Sequence, residues 1–141
     1  MRSLTMFAAV VSVIAVAAPA WANEFLDYFD YGRTELSANG YVMARRVIQY
    51  TQAAADPRVT ITGHMDTAEA AEFSDEIAGR RAQAVATELV RLGMDPGRIR
   101  IVSRADRMLA RPTPAGVREP LNRRVMVSIN FGGWPETATP R

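Results

Sequence analysis

The chain has 141 residues and a formal charge of +2 at pH 7, which suits one small domain without an extreme charge. The absence of cysteine excludes a disulfide framework, a thiol nucleophile and a cysteine-linked lipid anchor. His64 is the only histidine, so the chain lacks the several nitrogen or sulfur ligands that a zinc-type metal site needs. We therefore expect no metal, no other cofactor and no enzymatic activity.

The first 22 residues have the pattern of a cleavable secretory signal peptide. Arg2 precedes an apolar run over residues 6–18, and A-W-A at residues 20–22 matches the small-x-small cleavage rule. A-P-A at residues 18–20 is a second candidate cleavage site. The apolar run is short for a membrane span, and no later segment is apolar for long enough to cross a bilayer. We expect a soluble periplasmic chain without a transmembrane segment, either free or associated with the cell wall or outer membrane.

The rest of the chain alternates strand and helix patterns. The predicted elements are a strand within residues 24–31, a helix from 38 to about 55, a strand at 59–62, a helix from about 70–74 to 92, a strand at 99–103 and a strand at 122–131. This β-α-β-α-β-β order predicts an α/β fold, an α+β two-layer sandwich with a mixed, mostly parallel sheet and both helices on one face. Residues 23–131 form the predicted domain, and residues 132–141 a flexible tail.

A loop rich in arginine and proline separates the last two predicted strands. It runs from Ala105 to Leu121 and is longer than most loops in compact domains. Residues 98–124 contain eight arginines against Asp106 and Glu119, a local excess of positive charge. No aromatic residues lie among these arginines to stack with bases, so we expect no nucleic-acid partner. The loop is either a solvated basic surface or a contact for another envelope component.

The segment 59–82 contains the candidate binding residues. A β-branched strand ends at Gly63, the following loop contains His64 and Asp66, and the next helix carries Arg80 and Arg81. The ends of strands are where α/β folds usually hold ligands. Arg81 lies four residues after the apolar Ile77 and so shares its helix face, whereas Arg80 is turned about 100° away. Without further information, Asp66 would be interpreted as a helix-start acid and one arginine as a solvated helix residue.

Four sequence pieces, in this order and spacing, resemble the OmpA-like, peptidoglycan-associating domain family. The pieces are YFDYGRTELSANG, similar to the family's opening strand and turn; ITGHMD, similar to I-x-G-H-T-D; IAGRRAQAVATEL, similar to L-S-x-x-R-A and its helix; and NRRVMVSI, similar to N-R-R-V-E-I. The resemblance covers residues 25–131 and identifies the chain as a stand-alone soluble member.

The resemblance implies a non-enzymatic module that binds peptidoglycan through the diaminopimelate of the stem peptide. It places the binding acid at Asp66 and the binding arginine at Arg81. A guanidinium can take the ligand's carboxylate through two parallel hydrogen bonds, and a carboxylate can take its ammonium. The candidate supporting residues are His64, Ser74, Asn122 and Arg123.

The sequence departs from the family pattern around these anchors. Met65 replaces the usual threonine, Glu69 stands where glycine is frequent, Ser74 stands where asparagine is frequent, and Met126 replaces the glutamate of N-R-R-V-E. The alternative is therefore a degenerate domain of the same fold that has lost wall binding. Such a domain would dock another envelope protein through the loop at 105–121.

Overall fold

The computed structural model describes residues 24–131, so the predicted signal peptide (residues 1–22) and tail (132–141) lie outside the described residues. The elements are β1 (Glu24–Tyr28), α1 (Ala38–Gln52), β2 (Arg58–His64), α2 (Thr67–Glu72), α3 (Glu76–Arg91), β3 (Ile99–Ala105) and β4 (Arg124–Asn130). Two short 3-10 turns, Pro96–Arg98 and Pro120–Asn122, precede β3 and β4. No helix between residues 24 and 131 is long and apolar enough to cross a bilayer.

The four strands form one mixed sheet in the order β1-β4-β2-β3. The prediction of a mostly parallel sheet is wrong, because only β2 and β3 pair in parallel while β4 pairs antiparallel with both β1 and β2. The physical reason lies in the last strand. Helices connect β1 to β2 and β2 to β3, and these three strands run in the same direction. β4 lies between β1 and β2 and runs in the opposite direction, so that Val127 pairs with both Phe25 and Ile61.

The larger of two hydrophobic clusters joins both long helices to the sheet, and a smaller one contains Met65, Ile77, Ala78 and Ala105. β4 contributes Val125, Val127 and Ile129, whereas Phe131, which continues this alternation, lies just beyond the end of β4 and is exposed. The remaining fully buried aliphatic side chains of the larger cluster, from α1, α3 and β2, are Ala44, Val47, Val59, Ile61, Ala82, Val85 and Leu89. Burial of each Val, Ile or Leu contributes about 1.5–3 kcal/mol.

The predicted second helix, from about 70–74 to 92, corresponds to α3, and the structure adds the short helix α2, which was not predicted. α2 begins directly after Asp66, because the Asp66 side chain and Glu69 form a reciprocal capping box. Phe73 is extended and ends α2, and its ring packs beside Tyr31 at a centroid distance of 5.6 Å. α3 then begins at Glu76. The break at Phe73 separates the six-residue α2 from the 16-residue α3.

A close contact between β2 and α3 positions the site. A Cβ atom at Gly63 would lie 1.8 Å from the carbonyl oxygen of Ala78, so only glycine allows the helix to lie this close to the strand. Because Arg81 follows Ala78 by less than one helical turn, the contact brings its side chain to the end of β2.

Candidate functional site

The Arg81 guanidinium lies at the end of β2 and is fully buried. Its Nε donates to the carbonyl of Arg33 at 2.9 Å, and Nη1 and Nη2 donate to the carbonyls of His64 at 3.0 Å and Asp30 at 3.3 Å. The two remaining donors bind the Glu69 carboxylate, Nη1 to Oε1 at 2.8 Å and Nη2 to Oε2 at 2.5 Å. All five guanidinium N–H donors therefore have partners within the chain.

The neighbouring arginine has the opposite environment. The Arg80 side chain is 68% exposed and pairs with Glu76 one turn away at 3.2 Å. The prediction that Arg81 faces inward while Arg80 faces solvent is confirmed.

Glu69 is the centre of the buried cluster. Its carboxylate accepts two hydrogen bonds from Arg81, one from the backbone N–H of Gly32 at 2.8 Å and one from the backbone N–H of Asp66 at 3.3 Å. The residue is fully buried. Four donors from three separate chain segments thus converge on a single carboxylate, which offsets the cost of its burial.

Asp66 is also fully buried and has different partners. Its Oδ1 accepts from the backbone N–H of Glu69 at 2.7 Å and so caps α2. Its Oδ2 accepts from Nη1 of Arg123 at 2.9 Å and from the backbone N–H of Glu119 at 3.1 Å. Asp66 and Arg81 are therefore brought to the same end of the sheet as predicted, but Glu69 connects them.

Two of the four candidate supporting residues belong to this network and two lie apart from it. Arg123 pairs with Asp66, and the His64 carbonyl holds Arg81. Asn122 is fully buried and clamps the backbone of Arg111 through two 2.8 Å hydrogen bonds, so it closes the long loop. Ser74 is exposed, and its hydroxyl accepts from the backbone N–H of Glu76 at the start of α3.

The His64 imidazole is buried on the other side of β2 from the core. Burial, together with the positive charges of Arg124 and Arg104, lowers the pKa of His64 to about 4. The side chain is therefore neutral at pH 7. Burial also lowers the pKa of Arg124, which precedes Val125, the pairing partner of Gly63 in β4.

The rim of the cluster carries an aromatic and basic contact that the sequence pattern did not indicate. The guanidinium carbon of Arg118 lies 3.7 Å from the centre of the Tyr31 ring. The Tyr31 hydroxyl donates to the exposed Glu72, and this hydrogen bond raises the pKa of the tyrosine. Together with Phe73, these residues join the loop after β1, the end of α2 and the arginine-rich loop.

The arginine-rich loop packs on the start of α2. The Thr67 hydroxyl donates to the carbonyl of Pro114 at 2.6 Å and accepts from the backbone N–H of Val117 at 3.0 Å. The backbone N–H of Ala68 donates to the carbonyl of Val117 at 3.2 Å. The loop that follows β3 therefore covers the Asp66 side of the cluster.

Glu69 is the functional candidate that residue patterns missed. The D-x-x-E spacing of Asp66 and Glu69 is a capping-box signal and could have placed both side chains at one helix start. That signal gives no indication of the Arg81 pairing, which depends on the approach of α3 to β2. Within residues 24–131, no group of three or more His, Asp or Glu side chains could hold a metal ion.

The fold and site define a small α/β domain with a mixed four-stranded sheet and a buried charged cluster at the end of its second strand. The chain belongs to the OmpA family, whose model matches residues 28–123.

Solved structures share this fold. The peptidoglycan-associated lipoprotein from Burkholderia pseudomallei superposes with a TM-score of 0.66 at 20% identity, covering 74% of this chain and 89% of that protein. The cell wall anchor of the T6SS from Pseudomonas aeruginosa gives a TM-score of 0.54 at 24% identity, covering 73% of each chain.

An outer membrane protein from Gluconacetobacter diazotrophicus is 29% identical over 119 residues, which cover 80% of this chain. The chain spans about a third of the length of that relative, since the match covers 32% of it.

Proposed function

We propose that this chain is a non-enzymatic domain of the cell envelope that associates with peptidoglycan. Its membership of the OmpA family supports this, as does its fold, shared with a peptidoglycan-associated lipoprotein and a cell wall anchor. The observation that carries the proposal is the Arg81 guanidinium, held at the end of β2 with two parallel donors directed at a carboxylate.

Diaminopimelate is the ligand that this chemistry suits. It presents a carboxylate and an ammonium on one carbon, and the stem peptide leaves that end free. The ligand's carboxylate would take the two Arg81 donors, and the Asp66 carboxylate would take the ammonium. Binding in this way requires the Glu69 carboxylate to leave Arg81, because all five donors of the guanidinium are already used.

The same proposal implies a cellular location for the protein. A domain that meets peptidoglycan in this way works in the periplasm, which agrees with the signal-peptide pattern of residues 1–22. The outer membrane protein among its relatives is consistent with an envelope location.

The closed state of the cluster favours a second candidate function. In this alternative the Glu69–Arg81 pair is permanent, wall binding is lost, and the domain docks another envelope protein. The exposed arginines of the loop, Arg107, Arg111 and Arg118, would supply the contact surface. Arg107 lies 3.6 Å from Asp75 and Arg111 lies 3.7 Å from Glu119.

Sedimentation with purified sacculi separates the two functions. We expect the folded protein to sediment with walls that contain diaminopimelate and to be released by free diaminopimelate. Walls with lysine at the same position of the stem peptide lack the second carboxylate, and they serve as the matched ligand control. Failure of the folded protein to sediment with either wall would reject the first function. Sedimentation that is lost on replacing Arg107, Arg111 and Arg118 by alanine, yet is insensitive to diaminopimelate, would place the contact on the loop.

A further inference from the structure

The donors around Glu69 have the geometry of a receptor for a free carboxylate. They comprise two guanidinium N–H groups of Arg81 and the backbone N–H groups of Gly32 and Asp66, at 2.5–3.3 Å from the two carboxylate oxygens. These donors belong to α3, to the loop after β1 and to the turn after β2. The carboxylate that fills them comes from a fourth segment, the six-residue helix α2.

The cradle does not depend on Glu69 for its shape. Three main-chain carbonyls, those of Asp30, Arg33 and His64, hold Arg81 at 2.9–3.3 Å through its other donors. The Phe29 ring lies 5.1 Å from the guanidinium carbon and supports it from a further side. The guanidinium would therefore keep its orientation if the Glu69 carboxylate were removed, and preorganised donors of this kind bind a replacement anion at little reorganisation cost.

Glu69 belongs to the helix α2, which is only partly buried. Glu69 itself is buried, but α2 continues into the exposed Ala71 and Glu72 and the extended Phe73. Contacts of Tyr31 with Glu72 and Phe73 hold this end of α2 in place. Withdrawal of the Glu69 carboxylate would break its hydrogen bonds to Arg81, Gly32 and Asp66, whereas movement of the whole helix would also break the hydrogen bonds of Thr67 and Ala68 to the arginine-rich loop.

From these contacts we infer that Glu69 is an internal stand-in for an external carboxylate and that it sets whether the domain accepts such a ligand. A small carboxylate takes the place of Glu69 when that side chain is withdrawn or truncated. The inference rests on the proposed function only for the natural identity of the ligand, the carboxylate end of diaminopimelate. Glu69 and the external carboxylate compete for the same donors. The apparent affinity for the external ligand is therefore proportional to the fraction of molecules in which Glu69 leaves the donors free.

Chemical rescue tests the inference without peptidoglycan. The measurement is the thermal unfolding midpoint of the Glu69→Ala variant, taken once in sodium acetate and once in sodium chloride at equal pH and ionic strength. We expect acetate to raise its unfolding midpoint by several degrees relative to chloride, because a ligand that binds only the folded state stabilises that state. The unaltered protein should show no such difference. Glu76→Ala, which removes an exposed carboxylate from α3 without touching the contacts of α2, is the matched control and should also show none.

An equal acetate effect in all three proteins would overturn the inference. If Glu69→Ala is unfolded in chloride, recovery of its circular dichroism in acetate supports the cradle, and the absence of recovery rejects it. Free diaminopimelate should bind the variant on the order of tenfold or more tightly than it binds the unaltered protein. Rescue by acetate without any sedimentation on sacculi would support the cradle and reject peptidoglycan as its ligand, so the two proposals fail separately.

Discussion

The Glu69 carboxylate and the Arg81 guanidinium pair through both oxygens, at 2.8 and 2.5 Å, and neither side chain is exposed to solvent. A buried pair of this kind adds little net stability compared with apolar residues, but removing one partner leaves an uncompensated charge. The pair therefore makes the folded domain sensitive to substitution at either residue.

Substitution of Arg81 should be far more damaging than substitution of the adjacent arginine. Arg81→Met leaves the Glu69 carboxylate buried without its cation and removes the donors to three carbonyls, at a cost of about 3–5 kcal/mol. Arg80→Met removes only an exposed pair with Glu76 and should cost less than about 1 kcal/mol. Urea unfolding of the two variants measures both effects. Similar losses of stability in the two proteins would contradict the buried position of Arg81.

The same comparison is available for the aspartates that begin the two consecutive helices. Asp66→Asn removes the charge that Arg123 faces inside the protein, and we expect a loss of about 3 kcal/mol or more. Asp75 makes no side-chain cap to α3 and pairs with Arg107 only at an exposed 3.6 Å contact. Asp75→Asn should therefore change the free energy of unfolding by less than about 1 kcal/mol. A near-neutral Asp66→Asn would show that the Asp66–Arg123 pair is not formed.

Two glycines near the site should respond to alanine in opposite directions. At Gly63 the new methyl group would meet the Ala78 carbonyl, so we expect a loss above the roughly 1–3 kcal/mol usual for overpacking. At Gly79, in the first turn of α3, no atom lies within 4 Å of the new methyl group, so alanine should stabilise the helix by about 0.5–1 kcal/mol. Thermal unfolding distinguishes them, and a tolerated Gly63→Ala would mean that α3 lies further from β2.

The stability of the domain should fall as pH is lowered through the range between about 6.5 and 4. In that range the unfolded chain protonates His64, whereas the folded chain does not until its lowered pKa of about 4 is reached. The contribution of His64 is therefore fully present above pH 6.5 and amounts to at most about 3 kcal/mol. His64→Gln should flatten this part of the pH dependence, while carboxylates titrate equally in both proteins. Parallel pH profiles of the two proteins, from urea unfolding, would argue against a buried neutral histidine.

Much of the fold could be predicted from residue patterns because its elements are long and periodic. The valine and isoleucine alternation of β4 and the apolar stripe of α3 match the buried side chains, and Ser37 caps α1, a position at which serine is favoured. The strand directions could not be predicted in this way. Alternation of strands and helices favours parallel pairing, but it does not reveal that β4 inserts between β1 and β2.

The site was predicted only in part, because some of its contacts depend on tertiary packing that residue patterns do not reveal. Helical periodicity turns Arg81 inward, and the motif resemblance selects Asp66. The partner of Arg81 depends on the contact of Gly63 with Ala78 and on the separate helix α2, both of which are tertiary features. Diaminopimelate recognition by Asp66 and Arg81 stays a prediction.

The measurement that tests the central proposal most directly is an amide nuclear magnetic resonance titration with a soluble diaminopimelate-containing muropeptide. We expect the largest shifts at the backbone N–H groups of Gly32 and Asp66 and at the Nη–H groups of Arg81, since a ligand carboxylate would replace Glu69 among these donors. The lysine-containing muropeptide should leave them unchanged. Shifts confined to residues 106–119, or no shifts with either ligand, would contradict a carboxylate site at Arg81.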